Sequence, residues 1–456
     1  MYNNHLESEK ISSLLLKYSI PSMVAIMVST IYNIVDRIFI GRFVGESALA
    51  GLTVVYPIII IVFAGTALIA SGGANNISIS LGQRKFEEVK RLFTSTMVIA
   101  TLFGIFMSVL GILMLKPVLV FLNVEGDVYR HGYDYMTIIF SGVLFQLLAF
   151  TLSSIARSEG KATFSMLIMI TSAVSNIILD YLLIVLLEMG SKGAAIATIS
   201  SQGIGFLVLL FHYIFKSENV KFSMKYLKVN FEVTKKITSI GLPAYFSTIG
   251  SGLSLIVLNY YLDLHGGVAA VASIGAIASL MTFFDIPKLG IQYGVQPIIA
   301  YNHGAKQNSR IEEAIKFSIL YTTLAGIALF IFIQYKSEYL ISFFLGSTHE
   351  NIAIGGFGLR AYSFFIPITA INNISMAYFQ ATEQPIKSAF IAILRQIIIL
   401  IPLIVIMGAI WGIKGIWYAI PTSDLLSIVY SYFSMRINLK VPSNIIKPID
   451  IVQLTD

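Results

Sequence analysis

Cysteine is absent from the 456-residue sequence, and charged residues are scarce. The lack of cysteine excludes disulfides, thiolate metal sites and cysteine nucleophiles. Only 12% of the residues are charged and 56% are hydrophobic, whereas soluble globular domains carry about 25% charged residues. This composition is too apolar for a soluble protein, so the sequence predicts an integral membrane protein.

Short motifs of hydrolytic and nucleotide-driven proteins are also missing. The patterns HExxH, GxxxxGK[ST] and GxSxG do not occur, and the six histidines are scattered singly. These absences argue against an enzyme and against a pump driven by nucleotide hydrolysis. The net charge is +7, but the lysines and arginines lie between apolar runs and form no basic face, so nucleic-acid binding is not expected.

Apolar runs are the dominant feature that is present. A helix needs about 20 residues to cross the hydrocarbon core of a bilayer. Twelve runs are long enough, and they lie near residues 13–39, 48–72, 92–115, 133–156, 163–187, 193–215, 238–262, 269–298, 313–335, 355–379, 388–409 and 412–434. The sequence therefore predicts an all-α membrane protein with two six-helix bundles, an N-lobe (1–215) and a C-lobe (237–456), joined by a polar linker (216–236).

Lysine and arginine are distributed unevenly between the two sides of this arrangement. If both termini share one side, the segments on that side carry 21 of the 31 lysines and arginines, and the loops on the other side carry eight. Cytoplasmic segments retain such positive charge. The sequence predicts a multi-pass protein of the plasma membrane with both termini and the linker in the cytoplasm.

The two sets of six runs also resemble each other. At a shift of 222 residues, matching pairs include Pro21 with Pro243, Gly45 with Gly267, Gly82 with Gly304, Arg84 with Lys306, and Gly190 with Gly412; at a shift of 224, Glu159 matches Glu383. Because six is an even number, both copies enter the membrane in the same orientation. This pattern predicts a parallel repeat about an axis along the membrane normal.

Asp36 is the first carboxylate inside an apolar run. An ionised carboxylate in hydrocarbon costs several kcal/mol, so such a residue usually faces a protein cavity. Pairing with Arg37 in the headgroup region is the alternative, but adjacent helical residues point about 100° apart. Tyr32 and Asn33, at i−4 and i−3, share the helix face of Asp36 and are candidates for a substrate cavity.

A second acid lies at a similar depth. Asn176 and Asp180 are one turn apart on one face of the fifth run, and Thr198, near the start of the sixth run, falls at the same level as Asp36. Two acids, an amide and a hydroxyl can therefore meet in the N-lobe. Polar contacts between packed helices are the alternative. Apolar residues replace both acids in the matching C-lobe positions.

The C-lobe carries charges of its own. Asp285 and Lys288, at i and i+3, share one helix face within the eighth run. They either form a neutralising ion pair, or Asp285 is a counter-charge for a cationic substrate. Arg395 and Asp424 can form a second structural pair.

These features together resemble the multidrug and toxic compound extrusion (MATE) transporters, especially the DinF-like and MepA-like bacterial branch. The likeness covers nearly the whole chain. It rests on the two six-run repeats and on a set of short features: Pro21 with Asp36, the loop 80–84 and the matching loop 302–306 of the second repeat, the segment 156–160, and the segment 176–180.

The resemblance implies a secondary active antiporter that exports drugs and organic cations in exchange for protons or sodium ions. It implies an ion site for H+ or Na+ at Asp36, Asn176, Asp180 and Thr198. It also implies a monomer in the lipid bilayer, with cationic or amphipathic small-molecule substrates and no cofactor beyond the coupling ion. The NorM-like branch has acids in the seventh and tenth runs. This chain has none in the middle of those runs, so a C-lobe ion site is not expected.

Two other functions are compatible with the sequence. A flippase for lipid-linked precursors shares the two-lobe plan, but its cavity would need several cations for a pyrophosphate. Only Lys288 and Arg395 lie well inside the apolar runs, because the other cations within them (Lys17, Arg37, Lys316, Arg360 and Lys414) fall within five residues of a run end. A non-transporting membrane receptor is the alternative from a different functional class.

Overall fold

The computed structural model describes residues 5–228, 230–345 and 349–440. All regular structure in these ranges is helical, which confirms the all-α fold class. The α-helices are α1 (His5–Ser8), α2 (Ile11–Phe39), α3 (Glu46–Gly82), α4 (Phe86–Phe121), α5 (Gly126–Ser158), α6 (Ala162–Asp180), α7 (Gly190–Phe211), α8 (Phe231–Phe284), α9 (Ile286–Gly304), α10 (Asn308–Leu345), α11 (His349–Tyr362), α12 (Ile366–Ala381), α13 (Pro385–Ile393) and α14 (Leu400–Lys440).

The chain makes twelve membrane passes. Within the described ranges, nine helical segments are long and apolar enough to cross a membrane, and the bent pair Ile352–Tyr362 and Ile366–Ala381 forms another pass. Two of the nine hold two passes each, because non-helical glycines interrupt α8 at Gly267 and α14 at Gly412. Most helices extend several residues beyond the predicted apolar runs, because a helix does not end where hydrocarbon ends.

Turns at the ends of the helices explain much of the sequence repeat. Gly45, Gly190, Gly267 and Gly412 have φ of 117°, 59°, 59° and 58°. L-residues with a side chain rarely adopt this left-handed conformation, whereas glycine adopts it freely. The matched glycines thus mark equivalent turns in the two halves, and each pair is separated by 222 residues.

One predicted match is wrong by one residue. In the turn after α5, Lys161 N donates to Ala156 O, and in the turn after α12, Gln384 N donates to Phe379 O. These two turns are therefore related by a shift of 223 residues, and Glu159 corresponds to Thr382 instead of Glu383. Side-chain identity suggested a match that the backbone geometry does not support.

The two halves meet closely at one end of the bundle. We call this end the terminal face; it carries the N-terminal segment 5–10, the α3–α4 turn and the linker. Here α3 of the first half crosses α9 of the second, and a Cβ added at Gly82 would overlap the carbonyl oxygen of Tyr301. A Cβ added at Gly304 would likewise overlap that of Ile79. The same 222-residue shift relates these two contacts, so the crossing is pseudo-symmetric.

A neighbouring crossing joins α3 and α8 in the same way. A Cβ at Gly72 would overlap the carbonyl oxygen of Ile237, and one at Gly241 would overlap that of Leu68. Backbone therefore packs directly on backbone at both crossings, which only glycine permits. The two halves are closed against each other at the terminal face.

The N-terminal segment lies across this closed end. Both carboxylate oxygens of Glu7 accept from Arg84 Nη2 at 3.1 Å, in the first half, and one also accepts from Tyr301 Oη at 3.2 Å, in the second. Arg310 Nη2 donates to the Leu6 carbonyl oxygen at 3.1 Å. The segment thus contacts both halves at the terminal face.

Candidate functional site

The acids of the first half lie near the ends of two helices that pack together. Asp36 is in the last turn of α2, and Asp180 is the final residue of α6. Both helices continue into wider π-helical turns, Ile40–Val44 and Tyr181–Leu186. Such turns occur frequently at functional sites, because they re-aim the neighbouring side chains.

Three of the four predicted ion-site residues are buried. The exposed fractions of Asp36, Asn176 and Asp180 are 8%, 1% and 0%, and the charge of Asp36 acts on Asp180. The structure therefore encloses two interacting carboxyl groups away from bulk water. The charge of Arg37 also acts on Asp36. The alternative interpretation, an ion pair of these two residues in the headgroup region, implies an exposed acid, whereas Asp36 is buried.

Five of the six polar side-chain atoms of Asp36, Asn176 and Asp180 are buried without a hydrogen-bond partner among the described residues. Asp36 Oδ1, both Asp180 carboxylate oxygens and both polar side-chain atoms of Asn176 accept or donate no hydrogen bond within the described part of the chain. Buried polar atoms in native proteins are nearly always bonded. An enclosed set of unbonded acid and amide oxygens fits a proton or a small hard cation, which prefers oxygen ligands.

Tyr135 of α5 belongs to the same cluster and was not predicted. Its side chain is buried, it interacts with Thr198, and the charges of Asp36 and Asp180 both act on it. Thr198 is thereby connected to the acids through Tyr135. In the sequence Tyr135 is one of 23 tyrosines, so only its depth near the outer start of the fourth run could have indicated it. No three His, Cys, Asp or Glu residues among those described form a metal-binding group.

Tyr32 and Asn33, the two residues of α2 that were predicted to line a substrate cavity, have different surroundings in the structure. Tyr32 Oη accepts from Gln202 Nε2 at 3.4 Å and lines a cavity of about 110 Å³ inside the first half. Asn33 is exposed, and its side-chain amide donates to the Ser29 carbonyl oxygen at 2.7 Å within the same helix. Sharing a helix face in sequence therefore did not place both side chains in one cavity.

A second cavity, of about 180 Å³, lies between the halves. Helices α3 and α5 line it from the first half, and α8, α9 and α12 line it from the second. We call it the interlobe cavity. Among its described lining residues the only charged side chain is Arg157; the remainder are mostly hydroxyls, amides and apolar groups.

Asp285 and Lys288 form an ion pair with 2.6 Å between Oδ1 and Nζ. Their side chains are 29% and 17% exposed, and neither lines the two cavities described above. Arg395 and Asp424 also pair. The structure thus shows the paired arrangement, one of the two expected for Asp285.

A double-mutant comparison separates pairing from substrate binding. We expect Asp285→Asn with Lys288→Met to transport nearly as well as the parent and better than either single variant, because each single change leaves one charge without its partner. The measurement is the initial efflux rate in proteoliposomes at equal protein content. An equal loss in the double variant and in Asp285→Asn would indicate a substrate role.

This chain matches a protein-family model and is similar to named proteins along most of its length. The family model described as MatE matches residues 21–182 and 243–406. "Multidrug export protein MepA" of Staphylococcus haemolyticus (strain JCSC1435) is 25% identical over 440 residues, which cover 96% of this chain and 96% of that protein. The protein of the same name from Staphylococcus saprophyticus is 26% identical over 423 residues, 92% of this chain and 93% of that protein.

Solved structures show the same fold. One is described as the outward-facing conformation of a multidrug resistance MATE family transporter of the MOP superfamily; it has a TM-score of 0.90 at 20% identity and covers 96% of this chain and 98% of that chain. Another, described as MATE in complex with MaL6, has a TM-score of 0.90 at 21% identity with the same coverage.

Proposed function

The chain belongs to the MatE family of membrane transporters, and from this we propose that it is a secondary active antiporter that exports organic cations and other amphipathic drugs in exchange for protons or sodium ions. The similar proteins named multidrug export proteins support the direction of transport. The observation that carries the proposal is the buried pair of interacting acids, Asp36 and Asp180, three of whose four carboxylate oxygens have no hydrogen-bond partner among the described residues.

The ion site comprises Asp36, Asn176, Asp180 and Thr198. Burial and the neighbouring acid both disfavour a second negative charge, so this site gains stability when a proton or Na+ enters. The four unbonded oxygens of Asp36, Asn176 and Asp180 would hold a sodium ion, together with the Thr198 hydroxyl. The acids interact, so they load and release the ion as a pair.

Alternating access requires the two halves to separate at one end and then at the other. The glycine crossings of α3 with α8 and α9 support a state that is closed at the terminal face. Ion loading in the first half would then change the balance between this state and one that opens there.

The positive charge of the linker and terminal segments supports a cytoplasmic terminal face. Because the chain has no cysteine, single cysteines report topology directly. We expect Lys225→Cys in the linker to resist a membrane-impermeant maleimide on intact cells and to react after permeabilisation. The matched control is Glu125→Cys, in the exposed turn before α5, which should react on intact cells. The reverse pattern would overturn the orientation.

Reconstituted transport tests the function as a whole. A fluorescent organic cation is loaded into proteoliposomes, and proton and sodium gradients are imposed separately. We expect flux to follow one of the two gradients and to vanish without it. Ligand binding with no gradient-driven flux would favour the alternative function, a non-transporting membrane receptor.

A further inference from the structure

We propose that Arg157 forms an oxyanion subsite in the interlobe cavity, so that among the organic cations and amphipathic drugs proposed above the favoured substrates also carry a carboxylate. This inference rests on the proposed transport function and specifies the class of substrate. It was not expected from the sequence, where Arg157 follows the fourth apolar run. In the structure it lies in the last turn of α5 and lines the cavity between the halves.

Three serine hydroxyls hold the guanidinium group in place. Nη1 donates to Ser153 Oγ and Ser165 Oγ, each at 3.1 Å, and Nη2 donates to Ser154 Oγ at 2.8 Å. A guanidinium group has five N–H donors, so these bonds leave two without an acceptor among the described residues. Arg157 is therefore fixed by neutral groups, with hydrogen-bonding capacity to spare.

The charge of Arg157 has no acidic partner among the described residues. The titratable groups that act on it are the phenols of Tyr293 and Tyr213. The nearby Glu159 pairs instead with Lys161, at 2.9 Å. Arg157 is partly buried, and a cation withdrawn from bulk water is costly unless an anion compensates it. A substrate entering the interlobe cavity can supply that anion.

The rest of the cavity suits the remainder of such a substrate. Phe150, Leu289 and Met376 supply apolar surface, and Gln292 and Gln296 supply neutral hydrogen-bonding groups. Arg157 contributes the only charge of the described lining. Guanidinium groups bind carboxylates through two parallel hydrogen bonds, which gives both affinity and orientation. The acids Asp36 and Asp180 lie outside this lining, so they do not compete for the arginine.

A structural role for Arg157 makes a different prediction. The guanidinium carbon lies 5.7 Å from the ring centroid of Tyr293 on α9, so this contact also joins the two halves. If joining them were its only role, removal of the arginine would affect all ligands alike. A substrate role predicts a loss that depends on the ligand's acidic group.

The test uses two fluorescent dyes with the same ring system, one bearing a free carboxylate and the other its ethyl ester. Equilibrium binding to purified protein is measured by fluorescence anisotropy without an ion gradient. We expect Arg157→Gln to weaken binding of the acid dye by at least about tenfold, as expected for loss of a charged hydrogen bond, and to leave the ester nearly unchanged. Arg157→Lys should restore only part of the difference, because lysine retains the charge but lacks the two parallel N–H donors of a guanidinium group.

Lys90→Gln is the matched control, because Lys90 pairs with Glu87 at the terminal face and does not line the cavity. If Arg157→Gln does not fold, the parent itself remains informative: it should bind the acid dye several-fold more tightly than the ester. Equal losses for both dyes in Arg157→Gln, or a parent that prefers the ester, would overturn the proposal. Short-chain phosphatidic acid serves as a competitor in the same assay. If it displaces the ester dye, and if the parent binds the acid dye and the ester dye equally well, the proposal is overturned and the result points to a lipid phosphate.

These outcomes separate the subsite from ion coupling. Dye binding at equilibrium requires no gradient, so failure of the carboxylate preference leaves the antiport proposal standing. Conversely, loss of gradient-driven flux with an intact preference would remove the coupling mechanism and keep the subsite.

Discussion

Asp36→Asn is expected to abolish ion-driven efflux while the protein still folds and inserts. Asparagine nearly matches the protonated acid in shape but cannot gain and lose a charge. If Asp36 carries the coupling ion, this variant remains in the neutral state and the cycle stops. The efflux rate under the driving gradient should fall by about 100-fold or more, in the range found for residues essential to a mechanism. Binding of a neutral dye should persist.

Asp180→Asn should have a similar effect, and the double variant should be little worse than the worse single variant. The two acids are buried and interact, so removing either one disables the same site. Residues that act as a unit give such non-additive losses. Additive losses would indicate two independent roles.

Asp263→Asn is the matched control, because Asp263 is an exposed acid on α8 in the second half. It should retain efflux close to that of the parent. Gradient-driven efflux in Asp36→Asn equal to that of the parent, at equal expression in the membrane, would end the coupling proposal. Asp36 would then be a structural acid near the membrane surface.

The sequence indicated the acid cluster because two simple rules apply inside a membrane. Helical periodicity joined Asn176 to Asp180, and the expected depth of each run joined this pair to Asp36. The structure buries all three residues. Neither rule gives the rotation of one helix relative to another, so Asn33 was grouped with Tyr32 although its side chain is exposed.

Arg157 shows a different limit of sequence reasoning. Hydropathy places the end of an apolar run, whereas the end of a helix depends on hydrogen bonding at its last turn. Helix α5 continues to Ser158, so an arginine that would be assigned to a loop instead lines the interlobe cavity. Tyr135 illustrates the reverse problem, because aromatic residues are so common in this chain that pattern alone does not distinguish a site residue.

The sequence repeat was more informative about turns than about packing. Matched glycines at 45 and 267, and at 190 and 412, occupy left-handed turns, which explains their identity at a constant shift. The glycines at 82 and 304 share that shift for another reason, since they permit two helix backbones to touch. The contact between halves at the terminal face could not be predicted from spacing, because it depends on how the halves pack.

The combined change Gly82→Leu and Gly304→Leu is expected to prevent closure of the terminal face. A leucine side chain at either position would occupy the space of a carbonyl oxygen on the facing helix. Overpacking costs about 1–3 kcal/mol per site, and this energy shifts a two-state equilibrium by roughly 5- to 150-fold. Two such sites at one crossing should leave the closed state a minor population, and efflux should be lost because the cycle needs that state.

Spin labels at Lys85→Cys, in the turn after α3, and at Ser309→Cys, in the first turn of α10, measure this separation directly. The distance between them should increase in the double glycine variant. The exposed ion pair of Glu7 with Arg84 is too weak to restore closure, since surface ion pairs contribute about 1 kcal/mol or less. Gly203→Leu is the matched control, because a Cβ at this helical glycine meets no atom within 4 Å among the described residues. Unchanged label distances with efflux equal to that of the Gly203 control would show that the glycine crossings do not govern closure.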